Sequence, residues 1–450
     1  MAKSLMYSGR DLMSFSPLRT LATRTIFTLA DWLGFWRYPA DLDIDDLASY
    51  WHMAYWFYLA ERPVTRAVRG SGLEEHFARQ RQVKPGLPPD FEAEIRVQFS
   101  AVGDLMCNPA LDNMAGRYYE KVADLIFNAD IAFANLESSL TSAAVVEPTL
   151  SLQELPKINA SAAQYEVIKG HQGRQYSLFQ LANNHILDNG LDGIQTTLKQ
   201  LAADGIPAVG VNLTEEDQKK GQILEVKGLR LGFVAATYGV NGRPFPAGMP
   251  HLVNVVRFHQ YHSEADLTLL EEQIAWCRQQ GCDLVIAGLH WGVEWEFYPR
   301  PYQLEQAHRL AEAGADVIIG HHAHVIQPME WYRPQRDPER LVPIFYGLGN
   351  LVAIITAPWS ALSLVAQLTL TKGRLHGKTR TLIEAVQLTP VIQINEEKDG
   401  LNSVWLEKLQ PLPPFQAQTI PPARHKTYTE AARYAQVVLG PPPTAKGVNT

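Results

Sequence analysis

Residues 317–325 read Val-Ile-Ile-Gly-His-His-Ala-His-Val, and this stretch decides how the rest of the chain is read. A β-branched run ends in glycine, and three histidines follow within four positions. The pattern predicts a strand that stops at a sheet edge and projects His321, His322 and His324 from it. Imidazole is the commonest neutral side-chain ligand for zinc, iron and manganese. Three clustered imidazoles are costly to bury without a metal or a carboxylate partner, so partners are sought at other strand ends.

Working outward, strands and helices alternate from Ile95 to about Val391. Strands are expected at 95–102, 131–135, 177–182, 208–211, 284–289, 317–319, 344–347 and 362–369, with a hairpin joining 223–226 to 231–235 across Lys227-Gly228. Helices are expected at 115–127, 190–203, 264–280 and 302–313. This rhythm predicts a layered α/β domain with a mixed sheet over residues 95–395. Residues 1–90 read as an aromatic-rich helical extension: Leu47, Tyr50, Trp51, Ala54, Tyr55 and Tyr58 follow a helical period. Such a stripe packs on a main domain, or else docks a partner or a membrane surface. Gln82 to Pro89 reads as a linker. Residues 396–450 are expected to be a proline-rich tail, extended from Gln410 onward.

Ligands of α/β sheets bind beyond the carboxyl ends of the strands. There the chain places Gly103-Asp104, Asn135-Leu136-Glu137, Asn183-Asn184-His185, His290-Trp291-Gly292-Val293-Glu294, the 320–324 histidines and Gly347-Leu348-Gly349-Asn350. Each alone is weak, since Gly-Asp is commonly a turn and Asn-Asn a cap. Jointly they supply carboxylates from two strands, an amide and three or four imidazoles, a set suited to two cations. A bridging anionic group could come from Glu137 or Asp104.

Bulk properties narrow the class. The 450 residues are 46% hydrophobic and carry a net charge of −7 without a basic run, which argues against nucleic acid as the partner. Three scattered cysteines fit a reducing compartment and not a disulfide framework. The apolar stretch Ile26–Trp36 is interrupted by Asp31 and lacks a cleavage site. No apolar run approaches the roughly 20 residues of a transmembrane span. A cytoplasmic protein is expected.

The blocks AVGDLM (101–106), ANLESSL (134–140), LANNHILDNG (181–190), YGVNGRPF (238–245), LHWGVEWEFYP (289–299), GADVIIGHHAHVIQ (314–327) and YGLGNLV (346–352) resemble, in order and spacing, the CapA-type family of poly-γ-glutamate capsule synthesis proteins. That family lies within the calcineurin-like metallophosphoesterase superfamily. The resemblance runs from about Gln98 to Val352. It implies a four-layered α-β-β-α sandwich with two divalent ions, manganese, zinc or iron, at the strand ends. Carried over by motif, Asp104 would bind the first metal and Glu137 would take the position of a bridging aspartate. Asn184 and His290 would bind the second metal, and His322 and His324 would be the closing His-x-His pair. His185 resembles the histidine that protonates a leaving group or holds the anion. Met106 departs from the superfamily's Asp-x-His, a departure that CapA-type proteins share. A thioether is a poor ligand for manganese or iron(II), so His321 or Glu294 could compensate.

The resemblance implies a metal-dependent hydrolase of a γ-glutamyl or other polyanionic amide, with an anionic small molecule or peptide as partner. Asn241 and Arg243 would grip that anion, and Glu294 would be a catalytic base, a ligand or an orienter of one. The alternatives are a plain metallophosphoesterase and a non-catalytic accessory of polymer synthesis or export. His308 reads as a packing residue, Trp291, Trp295 and Phe297 as pocket wall or core, and Cys107 as a small buried hydrophobe.

Overall fold

Several strands of this chain are buried along their whole length, and that dictates the layering. Ile131–Leu136, Leu284–His290 and Val317–His321 have no exposed residue, so both of their faces must be covered. The computed structural model, which describes residues 17–33, 50–141, 157–258, 264–399, 401–409 and 424–441, shows how. Two sheets stack face to face, and helices cover their outer faces.

The first sheet runs in the order Leu401–Lys408, Lys378–Lys398, Leu362–Leu375, Glu92–Leu105, Ile131–Leu136, Leu178–Gln180, Ala208–Val209. The short strand Asn350–Val352 pairs with the end of Glu92–Leu105. The second runs Met329–Tyr332, Val342–Phe345, Val317–His321, Leu284–His290, Leu229–Thr237, Gln222–Val226. The second sheet has parallel central strands and an antiparallel strand at each edge. The first is parallel from Glu92–Leu105 through Ile131–Leu136 and Leu178–Gln180 to its edge at Ala208–Val209, and antiparallel on the other side. Alternation sorts the side chains. Phe99, Ala101, Phe133 and Leu178 join the core between the sheets, whereas Ala132, Ala134 and Phe179 face the outer core. The Phe233 ring of the second sheet stacks across the gap on Phe99 and Phe133 of the first, at 6.4 and 6.0 Å. Helices Thr268–Gln279 and Pro301–Ala313 pack on the second sheet, and Ala123–Phe127 on the first. The expected four-layered α-β-β-α sandwich is therefore the fold, and the hairpin at Lys227-Gly228 forms as read.

Local expectations fail in three places. The helix expected over 115–127 is confined to Ala123–Phe127. Gly116 sits at φ 71°, and the buried Tyr118 hydroxyl donates to the Leu351 carbonyl, so tertiary contacts replace helical ones. The helix expected from 264 starts at Thr268, whose N–H is taken by Asp266 Oδ1. The tail is not extended throughout. Lys378–Lys398 and Leu401–Lys408 carry the first sheet past residue 395, and His425–Leu439 is a helix. That helix buries Tyr428, Ala431, Ala432, Ala435 and Val438, a helical spacing masked in the sequence by surrounding prolines.

In the aromatic N-terminal region, helix Tyr50–Glu61 buries Tyr55, Tyr58 and Leu59 in the same core as the second sheet. Helix Pro17–Leu33 sets Phe27 edge-on to Tyr58 and exposes Leu21, Ile26, Leu29, Trp32 and Leu33. Leu47 lies outside the described residues. No helix among the described residues is long and apolar enough to cross a membrane.

Glu330 ties three elements together on the far side of the second sheet. Its Oε1 lies 3.0 Å from His308 Nε2 and 3.2 Å from His76 Nε2, and its Oε2 accepts from Tyr346 Oη at 2.7 Å. His308, stacked on Tyr332, is thus a packing residue. Burial alone would raise this carboxyl, but the two histidines and the tyrosine hold it at about 2. A depressed carboxyl stabilises the fold above its unfolded value and loses that contribution as pH falls through the folded one. Denaturant titrations should show that contribution disappearing between about pH 4.5 and 2. Glu330→Gln should cost about 2 kcal/mol at pH 7 and flatten that acid limb.

Candidate metal centre

Parallel strands deliver their carboxyl ends to one edge, and this chain loads that edge with donors. Asp104 ends Glu92–Leu105, Glu137 follows Ile131–Leu136, His290 ends Leu284–His290, and His321 ends Val317–His321. Pairing of the first strand is irregular between Ala101 and Asp104 and again at Asp104/Leu105. Such an irregularity re-aims the side chain that follows it. Gly103 makes the irregularity possible, because a Cβ there would lie 1.9 Å from the Gly349 carbonyl oxygen.

Two groups of three donors result: Glu137, His322 and His324, and Asp104, Glu137 and His290. Within each, the ligand atoms lie within 4.8 Å of one another. Glu137 belongs to both. Its Oε1 is 3.4 Å from His290 Nε2 and 3.6 Å from His324 Nε2. Asn184 joins them, its Oδ1 lying 2.9 Å from His290 Nε2. The six ligands expected from the motifs are thus neighbours.

Glu137 is fully buried, and neither of its carboxylate oxygens has a hydrogen-bond partner among the described residues. An ionised carboxylate left so costs several kcal/mol unless a cation meets it. This is the fit of the donor set to metal: a carboxylate shared by two groups, three imidazoles, an amide and a second carboxylate, all aimed inward. Burial pushes Glu137 up to about 8. The same burial holds His290 well below the ordinary imidazole range, so it is neutral, the form that binds metal. For His324 burial is outweighed by Glu137 and Asp104, which raise it to about 10. For Asp104, hydrogen bonds from His321 and His324 overcome burial and hold it well below its usual value.

The histidine loop is strained and over-determined. His322 has φ 87° and His324 φ 53°, a left-handed conformation costing about 1–3 kcal/mol each. Three contacts hold it: the His322 N–H donates to Asp104 Oδ2 at 3.1 Å, His324 Nδ1 lies 2.8 Å from Asn350 Oδ1, and the Trp295 N–H donates to the Ala323 carbonyl at 2.7 Å. His321 takes no ligand position. It lies under Asp104, 2.9 Å from Oδ1, with its ring toward Phe133, and it belongs to neither donor group. Glu294 is outside both groups as well, its Oε2 accepting from Trp56 Nε1 at 2.6 Å. Met106 is buried, with its N–H on the Val352 carbonyl. Trp291, Trp295 and Phe297 are core, and Cys107 is a buried thiol that burial raises to about 11.

Around the donors stand two residues given no role above, Asn135 and Asp188. Asn135 Nδ2 donates to Asp104 Oδ1 at 2.8 Å and lies 3.2 Å from His290 Nδ1, joining the two sheets. Asp188 holds His185 Nδ1 at 2.7 Å through Oδ2 and Arg243 Nε at 3.3 Å through Oδ1. Burial would lower His185, but Asp188 outweighs it and the imidazole is raised. Asn241 Oδ1 accepts from Asn184 Nδ2 at 3.2 Å. The signal for Asp188 was its place three residues after His185; nothing local marked Asn135 as a bridge.

A family model described as bacterial capsule synthesis protein PGA_cap matches residues 98–354. The capsule biosynthesis protein CapA of Bacillus anthracis is 27% identical over 270 residues, covering 57% of this chain and 60% of that protein. The PGA biosynthesis protein CapA of Bacillus subtilis (strain 168) is 29% identical over 255 residues, covering 54% and 61%. The chain spans about three fifths of the length of these curated relatives. A calcineurin-like phosphoesterase, YfkN from Bacillus subtilis, aligns over 77% of this chain and 98% of its own at 15% identity with a TM-score of 0.33, and the fold rests on the strand order instead.

Removing the buried charge should have opposite effects with and without metal. Glu137→Gln should stabilise the metal-free protein by about 1–3 kcal/mol, read as a rise in melting temperature in chelator. The same variant should lose most of the stabilisation that added Mn²⁺ or Zn²⁺ confers on the wild type.

Proposed function

We propose that this chain, which belongs to the bacterial capsule synthesis protein PGA_cap family, is a metal-dependent hydrolase of an anionic γ-glutamyl chain. The observation that carries the reading is the buried Glu137 carboxylate, shared by two donor groups and lacking hydrogen bonds. The names of the Bacillus relatives, which concern capsule and PGA biosynthesis, support the substrate class.

Asp104, Glu137, Asn184, His290, His322 and His324 would hold two divalent ions, manganese, zinc or iron. When bound, such ions polarise a scissile carbonyl or phosphoryl group and make water acidic enough to ionise near neutral pH. The protein's own groups do the rest. His185, whose imidazole Asp188 raises against the effect of burial, donates a proton to the leaving amine or holds the developing anion. Asp188 also orients Arg243, so the guanidinium that meets an anionic substrate and the proton donor share one anchor. Asn241 steadies the Asn184 amide and helps seat the anion. Asn135 keeps Asp104 and His290 in register across the two sheets.

Elemental analysis should find transition metal in the purified wild type and a loss of it in His322→Ala. The wild type should cleave a γ-glutamyl anilide, and His185→Ala should lower kcat about 100-fold or more with metal content retained. Absence of transition metal, together with no activity on adding Mn²⁺ or Zn²⁺, would refute the reading. Cleavage of bis-p-nitrophenyl phosphate alone would make the protein a phosphoesterase. Bound metal without turnover of either substrate would make it an accessory, as the name of a Mycobacterium tuberculosis relative has it.

A further inference from the structure

The matched family region begins at residue 98, yet part of the wall of the site comes from residues before it. Val64 pairs with the segment that follows His290: its N–H donates to the Trp295 carbonyl at 3.0 Å, and the Phe297 N–H donates to the Val64 carbonyl at 2.8 Å. Tyr55 Oη donates to Glu296 Oε1 at 2.8 Å, and Arg300 closes on the same carboxylate with two hydrogen bonds. Trp56 packs its ring 5.0 Å from that of Trp295 and gives its N–H to Glu294 Oε2 at 2.6 Å. Trp295 is itself held at φ 60° and donates to the carbonyl between His322 and His324. Glu294 is thereby fixed beside the donor groups by a side chain from outside the family domain.

Glu294 is half-buried, and its charge reaches Glu137, His185 and His324. Trp56 is the one hydrogen-bond partner of its carboxylate among the described residues, and no Lys, Arg or His pairs with it. The site already carries Asp104 and Glu137. A third carboxylate at its edge opposes the approach of an anion unless it meets a cation on the substrate. A γ-glutamyl chain has one cationic group, the α-ammonium at its amino end. We propose that Glu294, positioned by Trp56, is the subsite for this primary ammonium, so that the centre acts at the amino end of the chain. The substrate named here rests on the γ-glutamyl reading above. Trp56 is a positioning residue, and Glu294 is the group that touches substrate.

Calorimetric titration of the full-length Mn²⁺-loaded protein with γ-glutamyl-glutamate and its N-acetyl counterpart tests this without relying on turnover. The free dipeptide should bind at least about tenfold tighter than the acetylated one. Glu294→Gln and Trp56→Phe, the latter keeping a ring but not the N–H, should each bring that ratio close to one. Equal affinities in the wild type, or binding of neither peptide, would overturn the proposal. A Trp56→Phe variant that weakens both peptides by the same factor would overturn the positioning role and leave Trp56 a packing residue. Should the wild type discriminate between the peptides but hydrolyse neither, the ammonium subsite stands and the hydrolase reading falls.

Discussion

A carboxylate sealed between strand ends without a hydrogen bond is the constraint on which the rest of this structure turns. Glu137 is fully buried and is answered by no hydrogen-bond donor among the described residues. Burial pushes that carboxyl up, so it is held ionised at neutral pH where a cation balances it. The surroundings are built to that end: His290 comes from one sheet, Asp104 from the other, and the histidine loop closes over both. The strain at His322 and His324 belongs to the same design, because a relaxed loop would not aim two imidazoles at one carboxylate.

Support for this centre comes from small polar side chains set across the gap between the sheets. Asn135 reaches from the first sheet to His290 on the second, and Asn350 reaches His324 from the short strand beside Asp104. Within each sheet a glycine lets neighbouring backbone segments approach closely at this edge. A Cβ at Gly103 would strike the Gly349 carbonyl, and one at Gly320 would lie 2.0 Å from the Tyr346 carbonyl oxygen. The donor set is rigid because backbone crowds backbone on either side of it. The N-terminal segment adds a third support through Val64 and Trp56, tying the loop after His290 to elements outside the family domain.

Much of this was legible from residues alone. The alternation of strands and helices predicted a layered α/β domain with a mixed sheet, and the two stacked sheets followed from what the family resemblance implied. Motifs at strand ends predicted Asp104, Glu137, Asn184, His290, His322 and His324 as neighbours, because parallel strands deliver their carboxyl ends to one edge. Boundaries fared worse. The turns of 115–122 resemble a helix in composition, and the C-terminal helix was hidden among prolines. In both places long-range packing overrides local preference.

The sequence by itself determined an α/β layering, through periodicity along the chain, and the family and candidate ligands, through motifs whose order and spacing resemble that family's. Only the tertiary structure decided which carboxylate is shared, that His321 stands beneath Asp104, and that Asp188 holds both His185 and Arg243. It also decided that Trp56 belongs to the site. The physical reason is distance. A carboxylate's role is set by what lies within about 4 Å of it, and those neighbours come from segments tens to hundreds of residues away.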